Sequence, residues 1–401
     1  MILNILISIF GGVIAGMVTG FTPGIHINLI AATTVATAPT LLKYTDTLNL
    51  VTFILAMSVT HTFLDTIPAT FLGVPEADTA LAVLPAHRMV QEGNGIEAVQ
   101  LTVIGSLIGL ISATLLLIPM VYAVEKGYPF VQQHIGAILI GASAIVIYKE
   151  KRKRLWALTI FFMAGALGMA VTTMPKLTQP LFPLLSGLFG VSNLVISLKN
   201  RTTLPKQKKV NLQIRKREVS KAITGGMAAA TLSGFLPGLG AAQAAIIATS
   251  MFRKITEKGY LVVIGAINTI IMVISVIALY TIDKARNGSI VAIAELLEMF
   301  NKEYLVMSVA VMLIAGGLAT VVAIKSAPVF AKLIEKVSYK KLSLSIILIL
   351  TIMTMILSGW VGFVVLVTAT ALGIIPSVRG IGKNHLMGCL LIPVIFFFLQ
   401  G

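Results

Sequence analysis

Residues 11–42 read GGVIAGMVTGFTPGIHINLIAATTVATAPTLL, and residues 225–253 read GGMAAATLSGFLPGLGAAQAAIIATSMFR. Gly11-Gly12 matches Gly225-Gly226, Gly20-Phe21 matches Gly234-Phe235, and Pro23-Gly24 matches Pro237-Gly238, all at one offset of 214 residues. A second block follows in order. His61-Thr62 with the later VPEADTA of 74–80 resembles Asn268-Thr269 with IDKARNG of 282–288, at offsets of 207 and 208. Gly105 and Gly109 then sit in a long apolar span, as do Gly316 and Gly317. The chain reads as a duplicated unit, with a first repeat over 1–150 and a second over 218–401. Residues 151–217 lie between them and carry two extra apolar segments and a basic loop.

The composition places this duplication in a membrane. The hydrophobic set makes up 57% of the 401 residues and charged residues only 11%, against about 45–50% and 25% in a soluble domain. That excludes a soluble enzyme and a disordered chain. Apolar residues run unbroken rather than alternating, which excludes an outer-membrane barrel. Cys389 is the single cysteine and has no internal disulfide partner. The first apolar stretch begins Met1-Ile2-Leu3-Asn4 without a basic region and reads as a membrane segment rather than a cleaved signal. Fourteen apolar stretches follow one another from 1–21 to 384–400, among them 96–123, 134–149, 342–358 and 360–378. Several are too short to cross a bilayer, which takes about 20 residues. The fold expected is an all-α polytopic membrane protein with about 10–14 membrane segments.

The net charge of +16 is concentrated in short loops. Residues 149–154, 199–221, 253–258, 332–341 and 379–383 hold 23 of the 31 Lys and Arg. The positive-inside rule places all five in the cytoplasm of a cell-membrane protein, including loops 149–154 and 199–217. Charge placed in this way is an orientation signal, so no nucleic-acid partner is expected. One threading satisfies it: the N-terminus lies outside, each Pro-Gly pair returns to its own side, and the other long spans cross. The two repeats then have inverted topology, the architecture of secondary transporters.

A Pro-Gly pair inside an apolar stretch breaks a helix. The freed N–H groups at the start of the next half-helix, with its dipole, form an anion site. The candidate substrate-binding residues are Thr22, Pro23, Gly24, His26 and Asn28 at the first break, and Pro237, Gly238, Gly240 and Gln243 at the second. Candidate coupling or gating residues are His61, Thr62 and Asp65, with Glu76 and Asp78 in the following hairpin. Their counterparts are Asn268, Thr269, Lys284, Arg286 and Asn287. His61 and Asp65 are spaced i, i+4 and share a helical face. One half thus offers carboxylates and an imidazole, the other cations and amides. His87 and Arg88 read as part of a solvated face. No catalytic residue, metal motif or cofactor is expected. Na⁺ or H⁺ is the only accessory species, as coupling ion.

At these residues the chain resembles a known family. FTPGIHINLIAA (21–32), FLGVPEADTALAVLPAHRMVQEGNGIEAV (71–99), LFPLLSGLFGVSNL (181–194) and SGFLPGLGAAQAA (233–245) are similar to the large membrane subunit of the tripartite tricarboxylate transporters, in its shorter archaeal form. The resemblance implies ion-coupled uptake of di- and tricarboxylates at the Pro-Gly loops. It also implies a small membrane subunit and an extracytoplasmic binding protein as partners. The residues leave a second reading open, a translocase (flippase) of an anionic lipid such as a polyprenyl phosphate. Besides the bilayer, the partners expected are therefore a small organic anion or such a lipid, and a homodimer is compatible with the sequence.

Overall fold

The computed structural model describes all residues except 1, 23–26, 74–82, 151–152, 176, 200–204, 209–211, 213, 236–240, 242–243, 246, 249–254, 286, 336–338 and 401. Regular structure among the described residues is entirely helical. The first half holds α1 (Ile2–Phe21), α2 (Ile27–Leu41), α3 (Thr47–Leu64), α4 (Thr66–Leu72), α5 (Val83–Gln91), α6 (Gly95–Leu115) and α7 (Leu117–Lys149). The middle holds α8 (Arg154–Thr172), α9 (Leu181–Leu185), a π-helical turn (Ser186–Val191) and α10 (Ser192–Lys199). The second half holds α11 (Lys216–Phe235), α12 (Glu257–Ile282), α13 (Gly288–Leu296), α14 (Lys302–Glu335), α15 (Tyr339–Arg379), a 3-10 turn (Lys383–Met387) and α16 (Gly388–Gln400). Among the described residues, eight helical stretches are long and apolar enough to cross a membrane. The chain is a multi-pass membrane protein.

Helix starts are fixed by polar side chains that satisfy the otherwise orphaned first-turn N–H groups. Asp46 accepts from the Asn49 N–H at 2.8 Å, Thr256 from Gly259 at 3.1 Å, Asn287 from Ile290 at 2.9 Å and Asn301 from Tyr304 at 3.0 Å. Between the helices, small residues bring the backbones close. A Cβ on Gly12 would meet Phe53 and Ala56, one on Gly16 would meet Met57 and Thr60, and one on Gly20 would meet Leu64 and His61. Residue numbers rise together, so α1 and α3 run parallel. Helices α11 and α12 also run parallel, with Gly226 against Ala266 and Ile267 and Gly234 against Ile274.

Across the halves, Gly105 faces Val262, Gly109 faces Ala266 and Gly265 faces Thr102, so α6 and α12 are parallel. The Ser106 hydroxyl seals that contact by donating to the Gly265 carbonyl at 3.1 Å. By contrast, Phe71 packs on Gly95 while Phe63 and Leu110 meet at Gly316 of α14. The α3–α4 stretch is therefore antiparallel to α6, and α3 and α12 run in opposite directions.

One boundary differs from the sequence reading and one agrees with it. Residues 96–123 and 134–149 are not two spans separated by a loop; α6 ends at Leu115 and α7 continues through Pro129 to Lys149. At about 1.5 Å per residue the 33-residue α7 is longer than the hydrocarbon core is thick. Its polar stretch around Glu125 and Lys126 remains helical, with those side chains half exposed and paired at 3.2 Å. The expected division into 342–358 and 360–378 does appear, inside α15. Gly359 has φ +63°, a conformation that favours glycine, and the space beside it is open. Ile346, Leu350 and Leu366 share one apolar cluster with Val191 and Leu194. An unbroken helix would hold Ile346 and Leu366 about 30 Å apart, so the chain turns back at Gly359.

Basic segments gather at one end of the bundle. Gln207 joins them: its side chain accepts from the Gly95 N–H and donates to the Val90 carbonyl, both at 2.9 Å, while its backbone N–H donates to Glu335 at 2.7 Å. Buried Glu97 pairs with Lys258 and exposed Arg88 with Glu257, each at 2.5 Å.

Candidate functional site

The first Pro-Gly break follows directly on the end of α1. Thr22, the last described residue before it, is exposed. Pro23, Gly24 and His26 lie outside the described residues, and Asn28 lies in α2 with its side chain outside them. The wall beside the break is described. Because α1 and α3 run parallel, Gly20 stands level with Leu64 and the Asp65 backbone. His61 and Asp65 are thus held within a turn of the break, each with 3% of its surface exposed. Their burial sets them apart from ordinary membrane-helix residues, since an ionisable group away from water is costly unless it has a use or a partner.

Thr19 completes this wall. Its hydroxyl donates to the Gly16 carbonyl at 3.2 Å and lies 3.1 Å from His61 Nδ1. The hydroxyl is thus shared between the Gly16 carbonyl and the His61 ring, which ties α1 to α3 at this depth. Thr62 faces elsewhere, donating to the Val59 carbonyl at 2.8 Å.

On the matched helix, Asn268 and Thr269 are buried in α12. Thr269 is turned back onto its own helix, donating to the Gly265 carbonyl at 3.3 Å. Phe63 and Leu110 meet at Gly316, and Gly109, next to Leu110, meets Ala266. His61 lies two residues before Phe63 and Asn268 two residues after Ala266. On oppositely running helices those steps lead the same way, so His61 and Asn268 lie at one depth. Pro237, Gly238, Gly240 and Gln243 lie outside the described residues, as do Glu76, Asp78 and Arg286.

The described part of the second hairpin is anchored. Lys284 Nζ donates to the Tyr128 hydroxyl at 2.8 Å and stands 5.0 Å from that ring's centre. Asn287 caps α13 and its amide donates to Met272 Sδ at 3.2 Å. A cleft of about 390 Å³ opens beside it, lined by Asp283, Glu295, Glu298 and Phe300. Carboxylates as well as the Lys284 cation therefore surround this hairpin.

Sequence reasoning missed several of these groups. Thr19 carries no motif, and its link to His61 depends on the register that Gly12, Gly16 and Gly20 impose. Burial of His87 was also missed. It is not part of a solvated face: 7% of its surface is exposed and its Nδ1 donates to the Thr70 carbonyl at 3.2 Å. That burial pushes its pKa below the ordinary value, and the Thr70 hydrogen bond opposes the shift. Arg88, one residue on, is exposed as expected.

The chain is similar over its whole length to an uncharacterized protein of Methanocaldococcus jannaschii, 29% identical over 412 residues and covering all of both chains. No solved structure matches it. Residues 6–388, from within α1 to the start of α16, match a family of transporter components rather than enzymes. The chain belongs to the tripartite tricarboxylate transporter TctA family.

Proposed function

We propose that this chain is the translocating membrane subunit of an ion-coupled secondary transporter for a small organic anion of the di- or tricarboxylate class. The anion would bind between the two Pro-Gly breaks, and His61 and Asp65 would carry the coupling ion, H⁺ or Na⁺. The observation that carries this reading is the placement of His61 and Asn268. They are matched in sequence, lie on helices that run in opposite directions, and sit at one depth, with His61 against the end of α1 that leads into the first Pro-Gly pair.

The same packing supports inverted repeats over 1–150 and 218–401 with residues 151–217 between them. In each half a glycine-bearing helix runs parallel to a later helix, α1 to α3 and α11 to α12, and α6 of the first half pairs with α12 of the second. The clustering of Lys and Arg at one end supports a cytoplasmic assignment for loops 149–154 and 199–217. Membership in a tripartite family supports a small membrane subunit and an extracytoplasmic binding protein as partners. It lends nothing to the lipid-translocase reading.

Uptake of labelled succinate and citrate into proteoliposomes, with the partner subunits supplied and a pH or Na⁺ gradient imposed, tests the proposal. Accumulation that collapses with the gradient is the expected result. Uptake of neither acid under either gradient would refute it.

A further inference from the structure

The basic end contains two kinds of cation. Arg88 and Lys258 pair with Glu257 and Glu97. Lys153, Arg154 and Arg379, at the meeting of α7, α8 and α15, form no ion pair among the described residues. Two of them are nevertheless held in place. The Arg154 guanidinium lies 4.3 Å over the Tyr148 ring and its Nε donates to the Tyr148 carbonyl at 3.2 Å. The Arg379 guanidinium lies 4.2 Å over the Trp156 ring. Lys153 Nζ donates to the Arg379 carbonyl, which ties the start of α8 to the end of α15.

Stacking on a ring fixes a guanidinium plane and leaves N–H groups at its edge free to point outward. Guanidinium edges and an ammonium are the donors that phosphate oxygens accept from most strongly. The aromatic partners sit where a membrane interface lies. Tyr148 is in the last turn of α7 and Trp156 in the first turn of α8, and both are exposed, by 69% and 39%. Rings of this kind mark headgroup depth, and basic pockets between membrane helices receive anionic headgroups. A carboxylate from the protein would neutralise such a set; among the described residues none is paired with it, and Glu150 is directed to His385 at 3.3 Å instead.

We propose that the corner formed by Lys153, Arg154 and Arg379 over Tyr148 and Trp156 binds the phosphate of an anionic phospholipid headgroup. The site is separate from the transport path and depends only on the chain's spanning a membrane. An exposed position for all three cations lets the headgroup enter sideways from the bilayer.

Purified, delipidated full-length chain is titrated with phosphatidylglycerol, phosphatidylcholine or inorganic phosphate, read by thermal shift and by lipid adducts in native mass spectrometry. Phosphatidylglycerol is expected to raise Tm and remain bound, and phosphatidylcholine is expected to do neither. The double variant Arg154→Gln/Arg379→Gln, both positions being exposed, should keep the lipid-free Tm and bind phosphatidylglycerol about tenfold more weakly or worse. Arg379→Lys keeps the charge without the planar fork and should fall between the two; Arg88→Gln should bind as wild type. Equal shifts with both lipids, or unchanged binding by the double variant, would overturn the site. A shift from inorganic phosphate as large as that from the lipid would show a free-phosphate site and overturn the lipid assignment.

Discussion

Helix pairs α1/α3 and α11/α12 share a plan but not a fit. On α1, a Cβ at Gly12, Gly16 or Gly20 would come within 2.5, 2.5 and 2.8 Å of α3 atoms, two of them backbone carbonyls. On α11, the nearest atom to a Cβ at Gly226 is 3.5 Å away, ordinary contact, while one at Gly234 would come within 2.0 Å of the Ile274 side chain, so this pair is close at one of the two glycines. The chemistry divides the same way. The pair that is close along three successive glycines carries Thr19, His61 and Asp65, and the pair that is close at Gly234 but not at Gly226 carries Asn268 and Thr269. The two helix pairs are alike in direction, and among the described residues only α1/α3 carries titratable groups at that depth. A coupling proton needs a group whose charge can change, and a coupling Na⁺ needs oxygen ligands held in place; a neutral amide opposite them need supply neither.

The contrast breaks most readily at Gly16. Gly16→Leu would drive a side chain into the Met57 carbonyl and Thr60. It should cost about 3 kcal/mol or more, seen as loss of monodisperse protein in detergent, whereas Gly226→Ala should stay within about 1 kcal/mol by Tm. If the two are equally tolerated, the two pairs do not differ in fit.

His61→Gln tests the chemical side. It keeps a hydrogen bond to Thr19 but cannot titrate, so gradient-driven accumulation should drop by about tenfold or more, while Asn268→Gln should change it by only a few-fold. Comparable losses would put coupling in both halves.

A smaller effect is expected from His26→Gln. An imidazole with an ordinary pKa of about 6.5 gains positive charge as pH falls and then holds an anion more tightly. Apparent affinity should therefore rise between about pH 7.5 and 5.5 in the wild type and stay flat in the variant. A slope that persists in the variant would move the pH response to His61.

The membrane spans and the break at Gly359 were legible in the sequence, because hydropathy and a glycine between two apolar runs are local signals. The family was legible in the same way, from motifs spread over the chain. The wall of the site was legible only in part. His61 and Asp65 stood out as ionisable groups in an apolar run, but Thr19 did not, because nothing local marks a threonine that meets a histidine 42 residues away. The helical state of 117–149 was hidden by Glu125, Lys126 and Pro129, residues that read as a loop when the helix is assumed to end at the membrane surface. The docking of Gln207 on Gly95 and Glu335 comes from tertiary register and left no pattern to find.

The central claim is that the two Pro-Gly breaks act as one anion site. Gly24→Val and Gly238→Val, made separately, test it most directly, because a side chain at either position would cover the backbone N–H groups of the half-helix that follows. Uptake of labelled carboxylate into proteoliposomes is measured for each, with size-exclusion profile and Tm confirming that the variants insert and fold. A shared site predicts that both variants fold and neither accumulates substrate. Wild-type uptake by either folded variant would contradict it.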